Sequence, residues 1–389
     1  MKIASGQRWR PAVVGLVGVA AAWLAIPAAA SASAQTSPVV GHVYVNDNTA
    51  GTNTIGAFDR HANGTLSPEP GSPFSAGGAG TGAGLASQGA LQISPDGRFL
   101  IAVDAGSNQV SVLRVTPGGS LRLVRGGVVS SGGALPVSVA IHGDLVYVAN
   151  SGPGGSNYTG FWLARAGRLD PVAGSAVPLP AGSQPGDVLF NGTGTELAGT
   201  LVGTSMIDSF TVRRDGRLTA APGSPFAAQG LGPFGSEFRP TNPDQLFVSN
   251  AHNTAADSGT VSAFRVAGNG ALAPIGSSPF PDGQMAPCWV EISHSGRFLF
   301  TVNTASGTIS RYFIHASGAL TLLGSTPVRA SGVGAVDARL SPDGRFLYVD
   351  ESKAGAVGVF AVHGGRLAEV ASSPVPLPAG ATPAGIVVT

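Results

Sequence analysis

Cysteine is almost missing from this chain of 389 residues: Cys288 stands alone, so no intramolecular disulfide can form. The fold must be held by burial, and a chain this long has surface enough to bury. Charge is scarce too, at 11% of residues, and only Lys2 and Lys353 are lysines. The net charge is +1 over the full chain and negative once Lys2, Arg8 and Arg10 at its start are set aside, so neither nucleic acid nor an anionic membrane is an expected partner. Long apolar runs are absent beyond the first residues. The seven histidines are scattered and there is no His-Glu-x-x-His, so a metal site is not expected. There is no Gly-x-Ser-x-Gly elbow. Gly230-x-Gly232-x-x-Gly235 spells a dinucleotide fingerprint, but it precedes a strand pattern instead of opening a helix, so no cofactor is expected.

The one apolar run follows a basic start at Lys2, Arg8 and Arg10 and spans Pro11 to Ile26. With Ala32-Ser33-Ala34 behind it, the pattern predicts a signal peptide over residues 1–34, cut before Gln35; the rival reading is an uncleaved anchor, for which the run is short of the roughly 20 residues a bilayer needs. Its removal leaves 19 basic against 21 acidic residues, a net −2. The expected mature protein is exported, free of the membrane, and placed in a bacterial cell envelope or outside it.

What the chain has in quantity is glycine, 58 residues, and a repeat. Leu66, Leu121, Leu169, Leu218, Leu272, Leu320 and Leu367 each close a short glycine-containing turn, at intervals of 55, 48, 49, 54, 48 and 47 residues. A period near 50 built from short strands is the mark of a propeller. Seven repeats predict an all-β, seven-bladed propeller over residues 39–389, with four-stranded antiparallel blades. The termini are out of phase. His42 to Asn46 reads as a second strand with no first, and Pro383 to Thr389 as a first strand with no second. The two should share one blade and close the ring, which removes open edges. The glycine-rich stretch Gly71 to Gly89 reads as a long mobile loop.

Alignment of the seven first strands, which should surround the central channel, yields two columns of side chains. The first holds Ser138, Asp187, Gly235, Trp289 and Asp337; the second, two residues on, holds Gln92, Glu237, Glu291 and Arg339. Residues two apart in a strand share a face. Glu237, Glu291 and Arg339 therefore fall in three successive blades, a grouping suited to acid–base work with an anion clamp. Trp289, Asp337, Asp187 and Gln92 are the expected substrate contacts. The same cluster would equally serve as an ion-pair network riveting the blades. Asn46, Asp104, Asn150, Asn250, Asn303 and Asp350 recur at the ends of second strands and read as turn chemistry. Cys288 falls on the apolar face, as a small buried hydrophobe.

The Ser-Pro-Asp-Gly-Arg-Phe-Leu turns at Ser94 and Ser341, with the Val-Asp and Val-Asn strand ends, resemble the seven-bladed propeller lactonase family. That family includes 6-phosphogluconolactonases and carboxy-muconate cyclases and shades into YVTN-type surface propellers. Its enzymes commonly carry Gly-Pro-Arg-His at an inner-strand start, followed by phenylalanine and a strand ending Asn-Glu. Here the stretch is Gly232-Pro233-Phe234-Gly235-Ser236-Glu237-Phe238, with Asn250-Ala251 later. The Arg-His pair has become Phe234-Gly235, and Arg339 is the one obvious heir to the channel arginines. The resemblance implies a hydrolase of lactones or related cyclic esters acting on a small molecule in the channel. The substituted motif leaves open a secreted branch that is non-catalytic and binds a small molecule or an envelope protein.

Overall fold

The computed structural model describes residues 37–253, 255–329 and 334–389. The expected signal segment, 1–34, lies outside them. Among the described residues, no helix is long and apolar enough to cross a membrane.

Seven antiparallel sheets follow one another around a ring. Their innermost strands are Leu91–Ile93, Pro136–His142, Pro185–Phe190, Pro233–Arg239, Pro287–Ile292, Ala335–Leu340 and Ile386–Val388, which we number blades 1 to 7. Three more strands run outward in each blade; in blade 5 they are Phe298–Asn303, Thr308–Ile314 and Leu320–Pro327. Six of the marker leucines open a fourth strand, and Leu367 is the second residue of its own, Arg366–Glu369. Blade 7 is assembled from both ends of the chain, with Val43, Tyr44 and Val45 paired to Val388, Val387 and Ile386.

The glycine-rich stretch is ordered where a mobile loop was expected. Phe74–Gly80 pairs along the third strand of blade 7, beside the short fourth strand Leu66–Pro68. Short segments do the same in blades 2, 3, 4 and 6, whereas blades 1 and 5 use one long fourth strand. Glycine content misled because the segment supplies edge backbone pairing, which needs few side chains.

The marker turns also fasten neighbouring blades. The hydroxyls of Tyr44, Tyr147 and Tyr348 donate to the carbonyls of Gly119, Gly216 and Gly64, each in the next blade's turn, at 2.8, 2.8 and 3.1 Å. Gly119 and Gly64 have φ of 90° and 86°, and a β-carbon on them would strike the His42 and Phe346 rings. Only glycine meets both demands.

Four of the polar residues at second-strand ends, Asp104, Asn150, Asn250 and Asn303, bond within their blades, whereas both oxygens of Asp350 are buried without a partner. Asn303 Nδ2 donates to Thr308 Oγ1 and Ser310 Oγ at 3.0 and 2.8 Å, and Asn250 to Thr260 and Ser262, both at 2.9 Å. The strand registers correct two members of that series. Thr301, Val45 and Val349 face Ser310, Gly56 and Gly358, so Asp47 and Glu351 are the equivalents of Asn303. Asn46 and Asp350 stand one residue earlier. Asn46 reaches sideways to the Val103 carbonyl of blade 1 at 3.0 Å.

Candidate functional site

The channel is divided across its middle. The segment Ser87-Gln88-Gly89, entering blade 1, crosses the axis and bonds to five other blades. The Gln88 amide nitrogen donates to Gly186 O of blade 3 at 2.9 Å. Its side chain donates to Ser236 O of blade 4 and Val290 O of blade 5 at 3.0 and 3.3 Å, and accepts from Val290 N at 3.0 Å. Gly89 N donates to Asp337 Oδ2 of blade 6 at 3.1 Å, and Gly89 O accepts from Val139 N of blade 2 at 2.9 Å. Ser87 Oγ donates to Val137 O at 2.7 Å, and Ser87 O accepts from Trp289 Nε1 at 2.8 Å. Buried backbone groups need partners, and this plug supplies them across the axis.

Below the plug, toward the ends of the inner strands, lies a polar chamber of about 200 Å³. Gln92, Asp187, Ser236, Glu237 and Arg339 line it, with Gln88 as its roof. Arg339 Nη1 is 2.9 Å from Glu291 Oε2, while Glu291 Oε1 accepts from Leu340 N at 2.8 Å. Glu291 thus has both oxygens engaged by blade 6. Glu237 differs: its Oε2 is buried without a hydrogen-bond partner. Burial, and then the neighbouring Glu291 carboxylate, push the Glu237 carboxyl well above the usual carboxylate range, against the pull of Arg339. Asp187 Oδ2 accepts from Ser236 N and Oγ at 3.0 and 2.8 Å, and Oδ1 from Ser138 Oγ at 3.3 Å. Burial outweighs those bonds and lifts Asp187 to about 7. Burial alone would lower the Arg339 guanidinium, but Glu291, Asp337 and Glu237 hold it firmly charged.

Above the plug is a second chamber, of about 260 Å³, walled by Leu85, Phe234, Cys288, Trp289, Val336 and Ala384. Phe234 and Trp289 meet edge to face at 5.1 Å. Gly235, beside them, has no room for a side chain. A β-carbon there would collide with Gln88 Oε1 and the Cys288 carbonyl.

The three residues expected to carry chemistry do come together around the channel. The four expected substrate contacts separate: Asp187 and Gln92 line the polar chamber, Trp289 the apolar one, and Asp337 is bound into the plug. Cys288 is buried, as its apolar face implied. Sequence reasoning missed the plug, because Ser87-Gln88-Gly89 occurs once and breaks no period. A larger concavity, about 510 Å³ around Asp96, Arg98 and Arg165, lies on exposed turns; none of its lining side chains buries an unpaired polar atom.

Fold and channel define a closed seven-bladed propeller with an acid-lined central site. The sequence pattern of the lactonase, seven-bladed β-propeller family matches residues 41–157 and 237–383, more than half of the chain, and the chain belongs to that family. No curated protein sequence matches it. Among solved structures it is similar to a candidate 6-phosphogluconolactonase from Bacteroides uniformis, at 21% identity and TM-score 0.71, covering 89% of this chain and 98% of that one. It is also similar to the periplasmic gluconolactonase of Pseudomonas aeruginosa, at 19% identity and TM-score 0.70, covering 89% and 98%. At such identities the likeness speaks for the fold.

Proposed function

We propose that the protein hydrolyses small, uncharged lactones in the polar chamber. The observation that carries this reading is the buried, unpartnered Glu237 Oε2 in the same chamber as Asp187 and Arg339. A carboxyl whose burial raises its pKa holds its proton more tightly and can donate it, and one near 7 can accept a proton. Water attacks the lactone carbonyl carbon and gives its proton to Asp187. The ring C–O bond breaks, the leaving oxygen takes the Glu237 proton, and a hydroxy acid results. Passing the proton from Asp187 back to Glu237 resets the site. Glu291 acts as a positioning residue that fixes Arg339, and Gln92 orients the substrate. A phosphorylated substrate fits poorly, because the chamber's one guanidinium is already neutralised by Glu291. The same reading takes residues 1–34 as an export signal; an intact Met1 on exported protein, seen by mass spectrometry, would sink that part.

The test is acid release from δ-gluconolactone and δ-valerolactone by the purified protein, beside Glu237→Gln and Asp187→Asn. Each variant should lose on the order of 10²–10⁴-fold in rate while keeping its fold. Wild-type protein no faster than buffer would defeat the hydrolase reading. A binding propeller of the cell envelope would then stand in its place, a reading supported by Asp187 having both oxygens already bonded.

A further inference from the structure

The upper chamber is built for a different kind of molecule. Its wall carries one titratable side chain, Cys288, whose thiol burial pushes up to about 12, so the wall is uncharged at any physiological pH. Its aromatic face is fixed in advance. Phe234 braces Trp289 edge to face, and the indole N–H is spent on Ser87 O. Fixed aromatic surface recognises a flat ring at little entropic cost.

The polar edge has a definite sense. Thr304 and Ser352 contribute the hydroxyls of this chamber. Thr304 Oγ1 donates its proton to Ala335 O at 2.9 Å, and Ser352 Oγ donates to Gly334 O at 2.9 Å. With both protons committed, the two oxygens have only lone pairs left to offer. A ligand's hydroxyl finds an oxygen acceptor here, whereas a carbonyl or ether oxygen finds no hydroxyl proton free and only the weak S–H donor of Cys288.

Size sets the remaining limit. An apolar cavity of about 150 Å³ accommodates benzene, and drug-sized ligands need about 300 Å³ or more. At about 260 Å³ the chamber suits one substituted ring. We infer that the upper chamber is a binding site for an uncharged aromatic ring bearing a hydroxyl group, a simple phenol, separated by the Gln88 plug from the chamber below. Lactones, which are acceptors only, are disfavoured there by chemistry.

The experiment is calorimetric titration of the full-length protein with 4-methylphenol, with its methyl ether 4-methylanisole, and with δ-valerolactone. The phenol should bind at least tenfold more tightly than the ether, and saturating phenol should leave any lactone heat unchanged. Val336→Phe, which fills the chamber from a half-buried position, should abolish phenol binding. Thr304→Val should bring phenol and ether to within about twofold of each other. Because either variant can disturb packing, each is accompanied by a thermal melt, and Val336→Leu provides a milder filling that should weaken phenol binding several-fold. Absence of phenol binding at millimolar concentration, equal binding of phenol and ether by the wild type, or phenol binding indifferent to both Val336 variants would each overturn the proposal. Lactone hydrolysis is read separately through Glu237→Gln, so the two readings fail independently.

Discussion

The two chambers of the channel are built from the same strands, two residues apart. Gly235, Trp289 and Asp337 stand at one level; Glu237, Glu291 and Arg339 stand at the next, on the same strands. Pleating puts both levels on the inner face, so secondary structure cannot explain why one chamber is aromatic and the other charged. The plug explains it. Gln88 and Gly89 occupy the axis between the levels and take up Asp337, the one charge of the upper level in blades 4 to 6. Above them, Gly235 must stay small and Phe234 and Trp289 close the wall. Below them, Glu237 and Arg339 are partly exposed toward the open end of the channel, where Arg339 stays charged beside Glu291 and burial raises the Glu237 carboxyl. A cross-member therefore sets chemistry as well as stability.

The sharpest way to break this contrast is to remove the cation that the lower chamber depends on. Arg339→Met leaves Glu291 buried with its counter-ion gone. Breaking a buried pair in this way costs about 3–5 kcal/mol. Thermal or urea denaturation at pH 7 should register that loss, while phenol binding in the upper chamber of the folded variant should persist. A loss below about 1 kcal/mol would mean that the pair is not what holds blades 5 and 6 together.

The plug itself comes next. Gln88→Ala strands Ser236 O and both backbone groups of Val290 in a buried setting. Each unmet group costs about 1–3 kcal/mol, and water entering the gap recovers part of it, so a net loss near 3 kcal/mol is expected. With the barrier opened, lactone binding should also lose its dependence on the lower chamber's shape. A melting temperature unchanged by Gln88→Ala would show the plug to be an incidental filler.

What was readable in advance divides along the same line. Blade number, ring closure and the alignment of Glu237, Glu291 and Arg339 follow from leucine spacing and strand alternation, which are periodic and local. Gln88 was invisible because its partners lie 98 to 202 residues away and no repeat contains it. The ends of second strands misled for a related reason. In blades 6 and 7 the carboxylates of Glu351 and Asp47 lie over Gly358 and Gly56, where blade 5 sets Asn303 against Ser310, and their neighbours Asp350 and Asn46 imitate the series by letter. Strand register decides between the two, and register is a property of the paired sheet.

The most gradual effect is one of pH, spread over several units, and it separates the chambers by titration. Asp187 is raised from 3.8 to about 7 in the folded protein, so the native state keeps a proton that the unfolded chain releases above about pH 4. More protons on the native state mean that stability falls as pH rises, here between about pH 4 and 7, by at most about 1.4 kcal/mol per unit. Above about pH 7 both states have lost that proton and the contribution flattens. Asp47 and Glu351, also raised to about 7, add slopes of the same sign elsewhere in the ring, so the wild-type slope is shared. Asp187→Asn should remove its part and leave the rest. Cys288→Ala in the upper chamber should shift stability by the same amount at every pH in the window, because the thiol titrates only near 12. Urea midpoints collected from pH 4.5 to 7.5 for the three proteins measure this directly. Parallel curves for wild type and Asp187→Asn would show that burial does not raise Asp187 toward 7, and would remove the matched basicity that the proposed hydrolysis asks of it.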